Sequence, residues 1–149
     1  MMRILYALQG TGNGHISRAR EIIPYLRKYG NADVLISGSA FELTPAFNVT
    51  DHRFGLSFAY DKKGGIGLRK SLLEMKPIRF IKDLMSIQIK DYDLIINDFE
   101  PIVAWAARLK KIPCIALGHQ ASFLSPKVPR PNKKNVFGEF ILKNFAPSN

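Results

Sequence analysis

Acid is scarce in this chain. Twelve Asp and Glu stand against 22 Lys and Arg in 149 residues, a formal net charge of +10. An excess of that size biases association toward anionic partners: nucleic acid, a phospholipid surface or a phosphorylated substrate. Cysteine is scarcer still. Cys114 is alone, which excludes a disulfide framework and a Cys-rich metal site, and within residues 112–117 it reads as a small buried apolar residue. Long hydrophobic runs are missing. The longest span five or six residues, far short of the ~20 that cross a bilayer. No signal-peptide pattern follows Met1-Met2-Arg3, so the chain is expected to be cytoplasmic. The three histidines, His15, His52 and His119, have no His-x₃-His or Glu-x-x-His spacing, and no metal site is expected. Nucleic-acid signatures are absent too. The basic runs Lys62-Lys63, Lys110-Lys111 and Lys133-Lys134 are not interleaved with aromatics, and no RNP, KH or zinc pattern appears.

What is present is ordinary globular composition, 46% hydrophobic and 23% charged, in a length that suits one domain. The chain is organised around residues 5–15. A run of β-formers, Ile4 to Leu8, breaks into Gly10, Gly12 and Gly14 and becomes a helical pattern at Ile16. A strand, a glycine turn and a helix make half of a βαβ unit. Alternating glycines suit a loop that a ligand approaches closely, and N–H groups at the helix start favour an anion or a lone pair. His15, at the helix entrance, is the residue there able to move a proton near neutral pH. The loop is not the dinucleotide fingerprint. His15 stands where the third glycine of G-x-G-x-x-G belongs, and the second strand ends in Ser37-Gly38-Ser39 with no ribose-binding acid. No Gly-Lys-Ser/Thr follows, so it is not a P-loop either.

Patterning predicts a helix over residues 15–29, kinked or shifted by Pro24 and ended by Gly30 as C′ residue. A strand over 33–37, a short helix over 41–47 and a weak strand over 51–54 come next. Residues 55–77 read as a long loop, of the kind that is commonly functional in a compact domain. A helix over 77–90 follows, with Ile78, Ile81, Leu84, Met85, Ile87 and Ile89 as its apolar side. Residues 93–97 read as a buried parallel strand, Pro101 opens a helix over 102–110, 112–117 is a fifth strand, and 136–145 a last helix. This alternation predicts a doubly wound, mainly parallel Rossmann-like α/β sheet with helices on both faces. Ligands of such sheets bind beyond the carboxyl ends of the strands. The loop Gly10 to His15, Asp98 and His119 all fall at such ends and are expected to converge. Asp98 and Glu100, two apart at one strand end, are not placed to flank a glycosidic bond as a hydrolytic pair. Trp105 and Phe99, Phe137, Phe140 and Phe145 suit helix packing better than base stacking.

The glycine loop ending in Gly14-His15, the strand and turn Tyr92-Asp93-Leu94-Ile95-Ile96-Asn97-Asp98, the small-residue helix around Ala104-Trp105-Ala106-Ala107, and Ile112-Pro113-Cys114-Ile115 together resemble the N-terminal half of GT-B glycosyltransferases, especially the MurG-like family. The resemblance covers Arg3 to about Gln120 in outline. It implies that residues 1–149 form a single Rossmann-like, acceptor-binding domain of a larger two-domain enzyme, with the nucleotide-sugar donor held mainly by a second domain absent from this chain, and no cofactor. By the same resemblance His15 is the candidate general base assisted by Asp98, with capping or positioning of a phosphate as the alternative role for His15. Gly10, Thr11, Gly12, Asn13, Gly14, His119 and Gln120 are then the substrate-binding residues. The segment Asn97-Asp98-Phe99-Glu100 departs from the family's glycine-rich third loop, which implies an acceptor other than the MurG substrate. That family works on lipid-linked acceptors at the inner membrane face. Lys62, Lys63, Arg69 and Lys70, around Ile66 and Leu68, are accordingly expected to meet a membrane or an anionic, lipid-linked acceptor. Two other readings stand beside this one: half of a sugar-nucleotide epimerase, or a non-catalytic basic module for nucleic acid or other anionic partners.

Overall fold

The central strand is β1 (Met2–Gln9). It pairs in parallel with β2 (Gly30–Ser37) on one side and with β4 (Leu94–Asp98) on the other. Beyond β2 lies β3 (Asp51–Arg53), and beyond β4 lies β5 (Ile115–Ala116). The order is β3-β2-β1-β4-β5, with every pairing parallel. Among the described residues, three helices of ten residues or more accompany the sheet: α1 (Asn13–Leu26), α2 (Pro77–Ser86) and α3 (Pro101–Lys110). The computed structural model describes residues 1–56, 76–118, 125–129, 139–140 and 143–147. Strands are added outward from β1 to β3, and the chain then returns to place β4 on the other side of β1. The order therefore reverses between β1 and β4, which is where open α/β sheets form their ligand crevice.

Alternation along the strands decides what each face does, because successive side chains point to opposite sides. Leu5 and Ala7 of β1, Leu35 of β2 and Ile95 of β4 pack with Ile102, Val103, Ala106 and Ala107 of α3 and with Phe80 and Leu84 of α2. Tyr6 and Leu8 of β1, with Val34 and Ile36 of β2, pack on the other face against Ile16, Ala19 and Ile23 of α1. The register pairs Leu8 with Asp98, so the last residue of β4 belongs to the face that α1 covers. Apart from the half-buried Phe80 and Leu84, these positions are almost wholly buried.

Several expected boundaries move, each for a visible reason. The first helix spans Asn13–Leu26, passes through Pro24 and closes with short turns at Arg27, Lys28 and Tyr29. Gly30 is not its C′ residue. It opens β2 opposite Met2, where an added Cβ would lie 2.2 Å from the Met2 carbonyl oxygen. Residues 41–47 form no helix. The amides of Glu42 and Leu43 donate to Asn13 Oδ1, Arg20 donates to the Thr44 carbonyl, and Phe41, Leu43 and Phe47 pack on the α1 core. The helix expected over 77–90 stops at Ser86. Ile87-Gln88-Ile89 has the period of an extended segment, and its two isoleucines are buried while Ile78, Ile81 and Met85 of α2 are exposed. The fifth strand is only Ile115–Ala116, although Leu117 N–H still donates to Asn97 O. Of the expected last helix, residues 139–140 and 143–144 are helical. Lys62, Lys63, Arg69 and Lys70 lie outside the described residues, as do His119, Gln120 and Phe137.

Glu100 is wholly buried and caps α3: Oε1 accepts from Ile102 N–H at 2.8 Å and Oε2 from Val103 N–H at 2.6 Å. A carboxylate at a helix N-terminus is favoured by the dipole and the orphan amides. Burial nonetheless wins and raises its pKa to about 7, helped by Asp83 nearby and opposed by the two amide bonds. In the unfolded chain the group titrates near 4.5. The folded state thus binds the extra proton between these values, and stability falls as pH rises from about 4.5 to about 7. The fall attributable to Glu100 is expected to be roughly 3 kcal/mol at most. Urea unfolding across that range should show it, and Glu100→Gln should flatten it while lowering stability at the acidic end. An identical pH slope in the variant would contradict this account.

Candidate active site

The crevice begins where β1 ends. Gly10 is fixed by its own backbone, donating to Ser37 O at 2.6 Å and accepting from Ala40 N–H at 2.8 Å. A Cβ there would lie 2.7 Å from Gly38 O. Gly12, at φ +123°, is in a region closed to other residues and turns the chain into α1. Gly14 meets neither demand, since a Cβ there would touch nothing within 4 Å. Its open face is space available to a ligand. No side chain caps α1 and its first turn holds no acid, so the N–H groups at its start are left for water or a bound anion.

His15 lies one turn into α1, with Arg18 three residues on and on the same side of the helix. Both reach Asp98. His15 Nδ1 is 2.9 Å from Oδ1, Arg18 Nε donates to Oδ2 at 2.8 Å, and Arg18 Nη2 donates to Oδ1 at 2.9 Å. Tyr6 adds its hydroxyl to Oδ2 at 3.4 Å. Asp98 is fully buried, whereas the His15 and Arg18 side chains are 11% and 26% exposed. The turn that follows is strained. Phe99 sits at φ +59°, and its ring packs on Phe145 with centroids 4.9 Å apart. For a residue with a Cβ that conformation costs roughly 1–2 kcal/mol.

Burial pushes the Asp98 carboxyl up, but hydrogen bonds and charge from His15 and Arg18 outweigh it, so it stays below the usual carboxylate range. The bond to Asp98, ahead of desolvation, raises Arg18 above its usual value. Burial, then the carboxylate beside it, hold the Tyr6 phenol well above the ordinary range, so it remains a donor. An ionised carboxylate only accepts. His15 Nδ1 must therefore carry the proton in its bond to Asp98. In neutral His15 the lone pair is then on Nε2, which has no hydrogen-bond partner among the described residues. Arg18 largely neutralises Asp98, so the carboxylate gives the imidazole orientation and tautomer more than field.

Over residues 2–144 the chain matches the family model described as glycosyl transferase family 1. The chain belongs to that family. Its all-parallel sheet is the Rossmann-like fold of a GT-B domain, and glycosyl transfer is the activity the family carries. No individual curated protein matches the chain.

The expected site residues divide within this family frame. Gly10, Thr11, Gly12, Asn13, Gly14, His15 and Asp98 come together at the β1–β4 end of the sheet. Asn13 has its side-chain oxygen committed to the 42–43 amides, leaving its NH₂ group for a ligand. His52 is exposed at β3. Glu100 is a helix cap on the opposite face from Asp98 and takes no part. Arg18 and Tyr6 were not anticipated. Strand alternation pointed to Tyr6, two residues from Leu8, and the i+3 spacing from His15 pointed to Arg18. Among the described residues no group of three or more His, Cys, Asp and Glu gathers as metal ligands. A cavity of about 750 Å³ beside Arg108, Pro113 and Ile115 is at the β5 edge, lined by none of these groups. At the β1–β4 end, by contrast, three titratable groups with shifted equilibria, Asp98, Arg18 and Tyr6, converge with His15.

Replacing Asp98 by Asn is expected to lower stability at pH 7 by roughly 1.5–3 kcal/mol, the range for hydrogen bonds to a charged group. The Asp98 pKa is lowered on folding from 3.8, so its contribution is present above that value and lost as pH falls through the folded pKa. Denaturant curves of the two proteins should therefore converge in acid. A gap that persists unchanged below pH 3 would show that the carboxylate charge is not what matters.

Proposed function

We propose that this domain binds the acceptor of a glycosyl transfer reaction and that His15 is its general base. The observation that carries the reading is the His15–Asp98 contact of 2.9 Å at the strand-order reversal, which leaves Nε2 to accept a proton. An acceptor hydroxyl beside Nε2 gives up its proton to the imidazole as its oxygen attacks the anomeric carbon of the donor. The nucleotide diphosphate leaves with the bonding pair. Asp98 holds the ring, and Arg18 with Tyr6 holds Asp98. Gly12, Gly14 and the open start of α1 let the acceptor approach the backbone. The nucleotide sugar is bound chiefly by a second GT-B domain beyond this chain. The resemblance to MurG-like enzymes supports this division.

In the enzyme carrying both domains, His15→Ala is expected to lower kcat by roughly 10²–10⁴-fold, the usual contribution of general base catalysis. Donor affinity should be nearly unchanged, and residues 1–149 alone should bind a uridine nucleotide only weakly. Unimpaired kcat with lost donor affinity would sink the assignment, as would micromolar nucleotide binding by this domain in calorimetry.

A second reading concerns where the acceptor is met, and α2 favours it. Ile78, Ile81 and Met85 are 72%, 56% and 75% exposed and lie on one side of the helix at i, i+3 and i+7. Lys76, Arg79 and Lys82 stand among them. Among the described residues no helix is long and apolar enough to cross a membrane, but such a helix suits a bilayer surface. Basic residues near an anionic leaflet contribute about 1 kcal/mol each. Co-sedimentation with anionic vesicles should fall steeply with salt and weaken in an Ile78→Ser, Ile81→Ser, Met85→Ser variant. Equal binding to neutral vesicles would remove this reading.

A further inference from the structure

A second polar cavity opens at the same edge of the sheet, past the ends of β2 and β3. It has a volume of about 270 Å³ and is walled by the 38–40 backbone, His52, Arg53, Phe54 and Arg79. Clefts that hold whole small molecules run from about 300 to 1,000 Å³, so this one suits a substituent of a ligand. Its cations are not equally committed. Arg53 donates to Asp51 at 2.8 Å and to Ser86 at 2.7 Å, and it lies 3.6 Å from Asp83. Arg79 has no carboxylate partner among the described residues. Its guanidinium sits 4.7 Å from the centroid of the Phe54 ring, and Lys76 Nζ is 4.9 Å from the same centroid. Stacking on an aromatic ring orders the planar guanidinium and leaves its edge donors free for an oxyanion. Ser39, exposed in the same lining, adds a hydroxyl with no partner among the described residues.

The pocket is tied to the glycine loop, because Ala40 N–H donates to Gly10 O and Gly38 N–H to Arg53 O. Strands lie about 4.8 Å apart, so a group over the β2–β3 ends is about 10 Å from the β1–β4 junction that holds His15. We propose that this pocket is an oxyanion subsite that holds a phosphate group of the acceptor, about 10 Å from the hydroxyl presented to His15. Arg79 is its main ligand, with His52 and Ser39 as hydrogen-bonding walls. The proposal rests on the acceptor-binding reading and specifies one end of the acceptor.

The test is a titration of ¹⁵N-labelled Met1–Asn149 with inorganic pyrophosphate, followed by amide and arginine side-chain resonances, for the natural chain, Arg79→Gln and His15→Gln. A parallel arm measures capture by phosphatidylcholine vesicles with and without phosphatidic acid. Saturable shifts at Ser39 and Arg79 are expected. The affinity should weaken roughly tenfold in Arg79→Gln, the loss of one charge-assisted hydrogen bond, and stay unchanged in His15→Gln. Arg79-dependent capture by phosphatidic-acid vesicles that survives Ile78→Ser, Ile81→Ser, Met85→Ser supports the same subsite with a lipid head group as its source, whereas capture lost in that variant belongs to the apolar side of α2 and counts against the subsite. Shifts confined to residues 12–15, affinity indifferent to Arg79→Gln, or no binding in either arm overturns it. Arg79 is exposed and bonds to no acid among the described residues, so the variant is expected to fold, which the remaining resonances report. Because the His15→Ala kinetics are read separately, the subsite and the base assignment fail independently.

Discussion

One buried carboxylate joins the two halves of this sheet. Asp98 closes β4, and every strong bond it makes crosses to the first turns of α1 or to β1. A charge buried this deeply is expensive to desolvate and is retained where partners satisfy it fully. Here an arginine fork, an imidazole N–H and a phenol do so. The arrangement fixes the start of α1 against the end of β4 at the place where the strand order turns back. The position of the loop and of the proton-accepting nitrogen both follow from it.

Two helices begin at this edge of the sheet, and they are finished differently. Glu100 covers the first amides of α3 with its own carboxylate and is sealed from water. α1 begins on Gly12 with no side chain over its amides and with open space at Gly14. An incoming lone pair or anion therefore finds one helix start closed and the other free. His15, the proposed base, stands within the first turn of the free one. The alternation of β1 keeps these roles apart, since Leu5 and Ala7 face the closed helix and Tyr6 and Leu8 the open one.

Much of this was legible in the sequence because it depended on local rules. A strand, alternating glycines and a helix fixed the loop, and the placement of polar residues at strand ends brought His15 to Asp98 over 83 positions. The misreadings came where two periods competed or where a tertiary partner claimed a backbone. Ile87-Gln88-Ile89 continues a plausible helical stripe, yet its alternation belongs to an extended segment. Residues 41–47 could have coiled into a turn of helix until Asn13 took two of their amides. Arg18 escaped the sequence reading, because a periodicity argument ranks side chains by hydropathy and cannot see a carboxylate arriving from a distant strand. Gly30 looked like a helix terminator, but its reason is the carbonyl of Met2 across the sheet.

The strained turn after Asp98 has a mechanical side. Phe99 stays in its left-handed conformation with its ring on Phe145, and Trp105 Nε1 donates to the Asn144 carbonyl. Residues 144–145 are thus fastened at two points, one on α3 and one on the turn directly after Asp98. Whatever displaces residues 144–145 therefore reaches the turn that carries Asp98, the partner of His15.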